Sequence, residues 1–247
     1  MKVLGRFLYA IYYWLVACPL FIISTIILSS VTVVACYLGF QKWAGYWPGT
    51  LWSRIGLTLF LCPIKVEGRE NIPYKSGPFV VMANHQGAFD ILMMYGYLSI
   101  PFRWVMKQEL RSVPFMGKAC AMAGFIFVDE KTPSSIKGTM SSARKVLSEG
   151  TSIFIFPEGS RTKDGKMRRF KKGGFMMAYE LNVPIIPVTI NGAFKALPRG
   201  TFFVRPTRLK LTIHPPVEID KEEPFPQNML GTVQKVHEII SSSLQPS

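Results

Sequence analysis

Phe79-Val80-Val81-Met82-Ala83-Asn84-His85-Gln86-Gly87-Ala88-Phe89-Asp90 begins as one kind of structure and ends as another. Its first five residues form a short apolar run, β-branched at Val80 and Val81, and Ser76-Gly77-Pro78 punctuates it in front. That pattern predicts a buried strand. The polar residues from Asn84 read as a loop, and residues 89–98 as a helix with Asp90 in its first turn. Strand, loop and helix in succession are the unit of an α/β fold.

The unit recurs on either side. Residues 64–68 alternate like an edge strand, and 103–106, 125–128, 152–156 and 209–213 read as further strands. Residues 183–190 read as a strand interrupted by prolines. Between and around them, 54–62, 114–123, 134–149, 172–181 and 230–244 read as helices, the third closed by Gly150 as its C-cap. The expectation is a mixed α/β central sheet with helices on both faces, spanning 63–247, preceded by an N-terminal hydrophobic helical hairpin or anchor over 1–62.

That anchor comes from composition. The chain has 247 residues, 49% of them hydrophobic, and the excess is concentrated at one end. Residues 7–41 are 35 positions without Asp, Glu, Lys, Arg or His. A membrane-spanning helix needs about 20 apolar residues. The run is therefore long for one span and short for two spans and a turn. Pro19 should break or kink a helix, which leaves a single span over 20–40 or a shallow hairpin bent near Pro19. Lys2 and Arg6 precede the run, and Lys42, Arg54 and a basic domain follow it. Lys and Arg stay on the cytoplasmic side, so both ends favour a monotopic hairpin on the cytoplasmic face. A secretory signal has a much shorter apolar core.

The net charge of +14, beside such a terminus, points to anionic lipid or phosphorylated substrates rather than nucleic acid. The four cysteines, Cys18, Cys36, Cys62 and Cys120, form no C-x-x-C pair. They read as free, packed thiols, with neither a disulfide framework nor a zinc site.

His85 and Asp90 are candidate catalytic partners. Five residues on a helix turn through about 500° and would part the side chains. The two meet only if His85 lies on the loop, Asp90 in the first helical turn, and Gly87 lets the loop bend back. An Asp on one imidazole nitrogen fixes the tautomer and leaves the other as a general base. The spacing alone suits a capping Asp and a loop His equally well. Phe156-Pro157-Glu158-Gly159-Ser160-Arg161 follows another strand directly. There Pro157 and Gly159 turn the chain, Glu158 can bind a hydroxyl or an amide, and Arg161 can fork onto phosphate. Seven Lys or Arg fall within 161–172. Lys107 also stands just past a strand, where ligands gather in open α/β sheets. Cys120, His214 and His237 read as packing or solvent-facing residues.

With these blocks in order, the chain resembles the lysophosphatidate and glycerol-phosphate acyltransferase family, bacterial membrane type, over residues 64–216. The Asn-His-x-x-x-x-Asp block stands at Asn84 to Asp90, the Phe-Pro-Glu-Gly-Ser-Arg block at Phe156 to Arg161, and Val-Pro-Ile-Ile-Pro-Val at Val183 to Val188. One block departs: Gly124-Phe125-Ile126-Phe127-Val128-Asp129-Glu130 carries Glu130 where the family often has a phosphate-linked Arg, a charge that Lys131 or Lys107 would then supply.

The resemblance implies transfer of a fatty acyl group from acyl-CoA or acyl carrier protein to the sn-2 hydroxyl of 1-acyl-glycerol 3-phosphate at the inner membrane, without metal or cofactor. His85 would be the base and Asp90 its orienting partner. Lys107 and Arg161 would hold phosphate, Glu158 would contact glycerol, and Gly159 and Ser160 would shape the substrate loop. The competing expectations are the same chemistry on glycerol 3-phosphate or another lysolipid, a thioesterase, and a membrane-anchored lipid-binding protein.

Overall fold

The computed structural model describes residues 3–74, 77–129, 133–219 and 225–245. Its N-terminal apolar run is one helix, α1 (Val3–Tyr37). The expected break at Pro19 does not occur. A π-helical turn at Tyr13–Ala17 precedes it, with the Cys18 N–H on the Tyr13 carbonyl. The wider turn accommodates the missing N–H of Pro19 and keeps the helix continuous. The chain reverses instead at residues 38–46, where Gly39 has φ +87°. It returns as α2 (Trp47–Leu59), which starts seven residues before the expected 54 because Pro48 occupies its first turn.

α1 and α2 form an antiparallel pair. Trp52 Nε1 donates to Thr25 Oγ1 at 2.8 Å, the Trp52 ring stacks on Phe21, and the Tyr12 hydroxyl reaches the Leu59 carbonyl. Arg103 Nη1 donates to the Gly45 carbonyl and ties the connecting segment to the sheet. Tyr9, Tyr13, Ala17, Leu57 and Phe60 join the same apolar core as one face of the sheet. The rest of α1 is largely bare: only 17% of its most apolar window is buried. A helix this long and apolar, exposed over most of its surface, marks membrane association.

Seven strands form one sheet among the described residues, in the order β1-β7-β6-β2-β5-β3-β4. They are β1 (Ile64–Glu67), β2 (Val80–Ala83), β3 (Phe102–Lys107), β4 (Ile126–Val128), β5 (Ser152–Ile155), β6 (Ile185–Asn191) and β7 (Leu209–Ile213). All neighbours are parallel except β6 and β7. The sheet is therefore mixed, as expected. β6 runs unbroken through Pro187, whose carbonyl accepts the His214 N–H where the β7 ladder has yet to begin.

β2 shows why the sheet is covered on both sides. Its four residues are all buried. Val81 and Ala83 face the side of α1, α2 and α3 (Phe89–Tyr97), while Val80 and Met82 face the other helices. A strand of period 2 buried on both faces is continuously apolar. α4 (Met116–Met122) precedes β4, and α5 (Pro133–Ser148), α6 (Gly173–Leu181) and α7 (Gln227–Ser242) complete the chain. The five parallel strands β6, β2, β5, β3 and β4 end on one edge. That edge carries the site.

Candidate active site

The loop after β2 is fastened at Asn84, His85 and Gly87. Asn84 Oδ1 accepts the Ile190 N–H at 2.7 Å, and Asn84 Nδ2 donates to the Ile190 carbonyl at 2.9 Å. The side chain thus replaces a ladder partner where β2 leaves β6. The next residue, His85, donates its backbone N–H to Glu158 Oε1 at 2.7 Å and accepts the Thr162 N–H on its carbonyl at 2.9 Å. Its ring lies parallel to the Phe156 ring, 3.8 Å between centroids and 7° between planes.

His85 Nδ1 meets Asp90 Oδ2 at 2.7 Å. Asp90 opens α3, and the same oxygen accepts the Gly87 N–H at 2.9 Å. A carboxylate only accepts, so Nδ1 carries a proton, and in the neutral ring Nε2 is then the atom with the lone pair. Gly87 is needed for space and not for an unusual φ: a Cβ there would stand 2.8 Å from the Ala193 carbonyl oxygen. Asp90 is wholly buried, which pushes its carboxyl above the ordinary Asp value, against the lowering effects of His85 and the Gly87 and Gln86 amides.

Glu158 is held by backbone amides from two loops. Its second oxygen accepts the Arg168 N–H at 2.8 Å, and the side chain is 4% exposed. Both oxygens are engaged by backbone amides, and burial raises its pKa while those amides lower it. The carboxylate clasps the β2 loop to the loop after β5. Gly159 turns that loop with φ +72°, and a Cβ there would meet Lys171 Cε at 2.8 Å. Ser160 Oγ accepts from Arg168 Nη1.

His85, Lys107, Gly159, Ser160 and Arg161 all line one cavity of about 1560 Å³. Five of the seven expected site residues are thus brought together, and Asp90 and Glu158 stand buried behind them. The cavity passes over the sheet edge. On one side it reaches Leu28 of α1, Trp52 of α2 and Tyr95; on the other it runs between α5 and α6. Cys120 lies partly buried against the core on the first side. His214 bonds Thr189, and His237 packs on Phe170, both apart from His85. Among the described residues, no three His, Cys, Asp or Glu are grouped to hold a metal ion. Glu130 and Lys131 lie outside the described residues.

Asn84 and Phe156 carry work that their residue types do not announce. Their position flanking the two polar loops was the available signal. Thr162 and Arg168 act through backbone N–H groups, which any residue type supplies, so no signal existed for them.

The acyltransferase family model matches residues 63–191. The chain is 33% identical to a 1-acyl-sn-glycerol-3-phosphate acyltransferase of Borreliella burgdorferi, over 72% of each chain. It is 32% identical to the chloroplastic 1-acyl-sn-glycerol-3-phosphate acyltransferase of Arabidopsis thaliana, over 70% of this chain and 48% of that one. The match thus spans about half the length of the plant relative. The crystal structure of the 1-acyl-sn-glycerophosphate acyltransferase PlsC from Thermotoga maritima superposes with a TM-score of 0.78 at 26% identity, covering 98% of this chain and 95% of that one.

Proposed function

The chain belongs to the acyltransferase family, and from that membership and the site geometry we propose that it acylates the sn-2 hydroxyl of 1-acyl-glycerol 3-phosphate to give phosphatidate. One observation carries the reading. The His85–Asp90 couple sits on a cavity that also holds Arg161 and Lys107 and extends to the apolar helices α1 and α2. A base, two cations and an apolar wall are what a lysophospholipid with a phosphate head requires.

In this mechanism His85 Nε2 takes the proton of the acceptor hydroxyl as its oxygen attacks the thioester carbonyl carbon. The C–O bond forms, the C–S bond breaks, and the imidazolium returns the proton to the thiolate. Asp90 stabilises the imidazolium and keeps Nδ1 as its donor. General-base catalysis of this kind contributes about 10²–10⁴ in rate, and holding both substrates on one edge contributes further by positioning. Arg161 and Lys107 neutralise the acceptor phosphate. The donor is a CoA or carrier-protein thioester. α1 and α2 are held on the domain at both ends and at their connection, so the pair lies on the cytoplasmic face with the exposed apolar flank of α1 in one leaflet.

The test is transfer of labelled palmitate from palmitoyl-CoA to lysophosphatidate, with glycerol 3-phosphate, other lysolipids and no acceptor as parallel arms. His85→Ala abolishes transfer while the protein stays folded. Full activity in that variant, or thioester loss that needs no acceptor, contradicts the proposal.

A further inference from the structure

We propose that the groove between α5 and α6 admits the phosphopantetheine arm of the acyl donor, with Arg144 as the partner of its phosphate; the assignment rests on the acyl-transfer reading above. The cavity that His85 lines reaches both faces of the sheet, as two arms, since α1 and α2 share a core with one face and α5 and α6 with the other. Along the second arm, Lys137, Met140 and Arg144 of α5 line the cavity, as do Gly173, Met176 and Glu180 of α6. Ser141 of α5 and Met177 of α6 line it as well, so each helix turns most of one face to the groove. Seven residues make it about 10 Å long. At its far end Arg144 Nη2 meets Glu180 Oε2 at 3.5 Å, with side chains 63% and 37% exposed.

The two arms differ as the two substrates differ. A lysolipid arrives from the bilayer, on the side of α1 and α2. A CoA or carrier-protein thioester is water-soluble and must reach His85 from the other side. Its pantetheine is a linear chain that ends in a phosphate, which suits a narrow methionine-lined groove closed by a guanidinium. A fatty tail there would press its methyl end against an ion pair, which disfavours it. The Arg144–Glu180 contact is long and exposed, so a phosphate able to accept a forked pair of N–H bonds displaces the carboxylate.

Donor kinetics at fixed lysophosphatidate test this with palmitoyl-CoA, palmitoyl carrier protein and palmitoyl-pantetheine, which lacks the phosphate. Arg144→Glu raises the KM for palmitoyl-CoA and the carrier thioester by roughly tenfold, the scale of one charged hydrogen bond. Arg144→Lys recovers most of it. Glu180→Gln removes the competitor and lowers both values. The KM for lysophosphatidate and the response to palmitoyl-pantetheine stay as in the parent. Donor KM values unmoved by Arg144→Glu and Glu180→Gln overturn the groove assignment, as does an equal shift with the phosphate-free thioester. A shift with CoA alone places the contact on the nucleotide phosphates and overturns it too. Absence of transfer by the parent protein from every donor overturns the acyl-transfer reading itself.

Discussion

Glu158 Oε1 accepts the backbone N–H of His85 at 2.7 Å, across 73 residues of chain. Its partner oxygen holds the Arg168 N–H. The carboxylate therefore sets where the imidazole stands, through the backbone.

Glu158→Gln tests that assignment. An amide offers one acceptor oxygen and turns an NH₂ towards the remaining N–H. One buried donor is left unpaired, at a cost of about 1–3 kcal/mol. The expected result is a lower melting temperature and a lower kcat with little change in the KM for lysophosphatidate. A raised KM with an unchanged kcat returns Glu158 to the substrate.

Asp90→Asn separates stability from activity. Burial raises the Asp90 pKa, so the folded state holds that proton more tightly than the unfolded chain. The contribution of Asp90 to stability is complete below the ordinary Asp value of about 3.9 and declines as pH rises through the higher folded value. Asn carries no charge to bury. The variant should melt above the parent at neutral pH, with the gap closing as pH falls, while transfer drops by about 10²–10⁴. Thermal melts across pH, paired with initial rates, check both halves. A variant that melts below the parent at neutral pH shows that attraction to His85 outweighs burial.

Asn84→Asp removes the donor to the Ile190 carbonyl and sets a carboxylate oxygen against it. Asn84 is 1% exposed, so water cannot relieve the contact. Destabilisation of about 1–3 kcal/mol or more follows, read as a fall in the denaturant midpoint. An unchanged midpoint shows that the clasp is not needed to hold the loop.

Arg161→Ala probes the acceptor. Losing one charged contact to phosphate, about 1.5–3 kcal/mol, raises the KM for lysophosphatidate by roughly tenfold or more. The KM for 1-acylglycerol, which has no phosphate, stays unchanged. Equal effects on the two acceptors remove Arg161 from phosphate binding.

Much of the fold was legible because its signals are local. β2 and β5 are short runs buried on both faces, and β7 alternates, buried at Leu209, Leu211 and Ile213. α2 starts at Trp47 and not at the expected 54. Pro48 sits in the first turn, and Gly49 is required where a Cβ would stand 2.0 Å from the Tyr95 ring. The bend expected at Pro19 was absorbed by a π-helical turn that no residue pattern announces.

The residue types and spacing of His85, Asp90, Lys107 and Arg161 were present in the chain by itself, as were the apolar terminus and the alternation of strands with helices. These are properties of neighbours along the sequence, and periodicity exposes them. The tertiary structure alone decided the strand order, the reversal of β7, the ring of Phe156 under His85, and the use of Glu158 as a clasp. Each depends on partners distant in sequence, and the clasp on backbone amides that every residue carries, so the chain written out has no mark that distinguishes them.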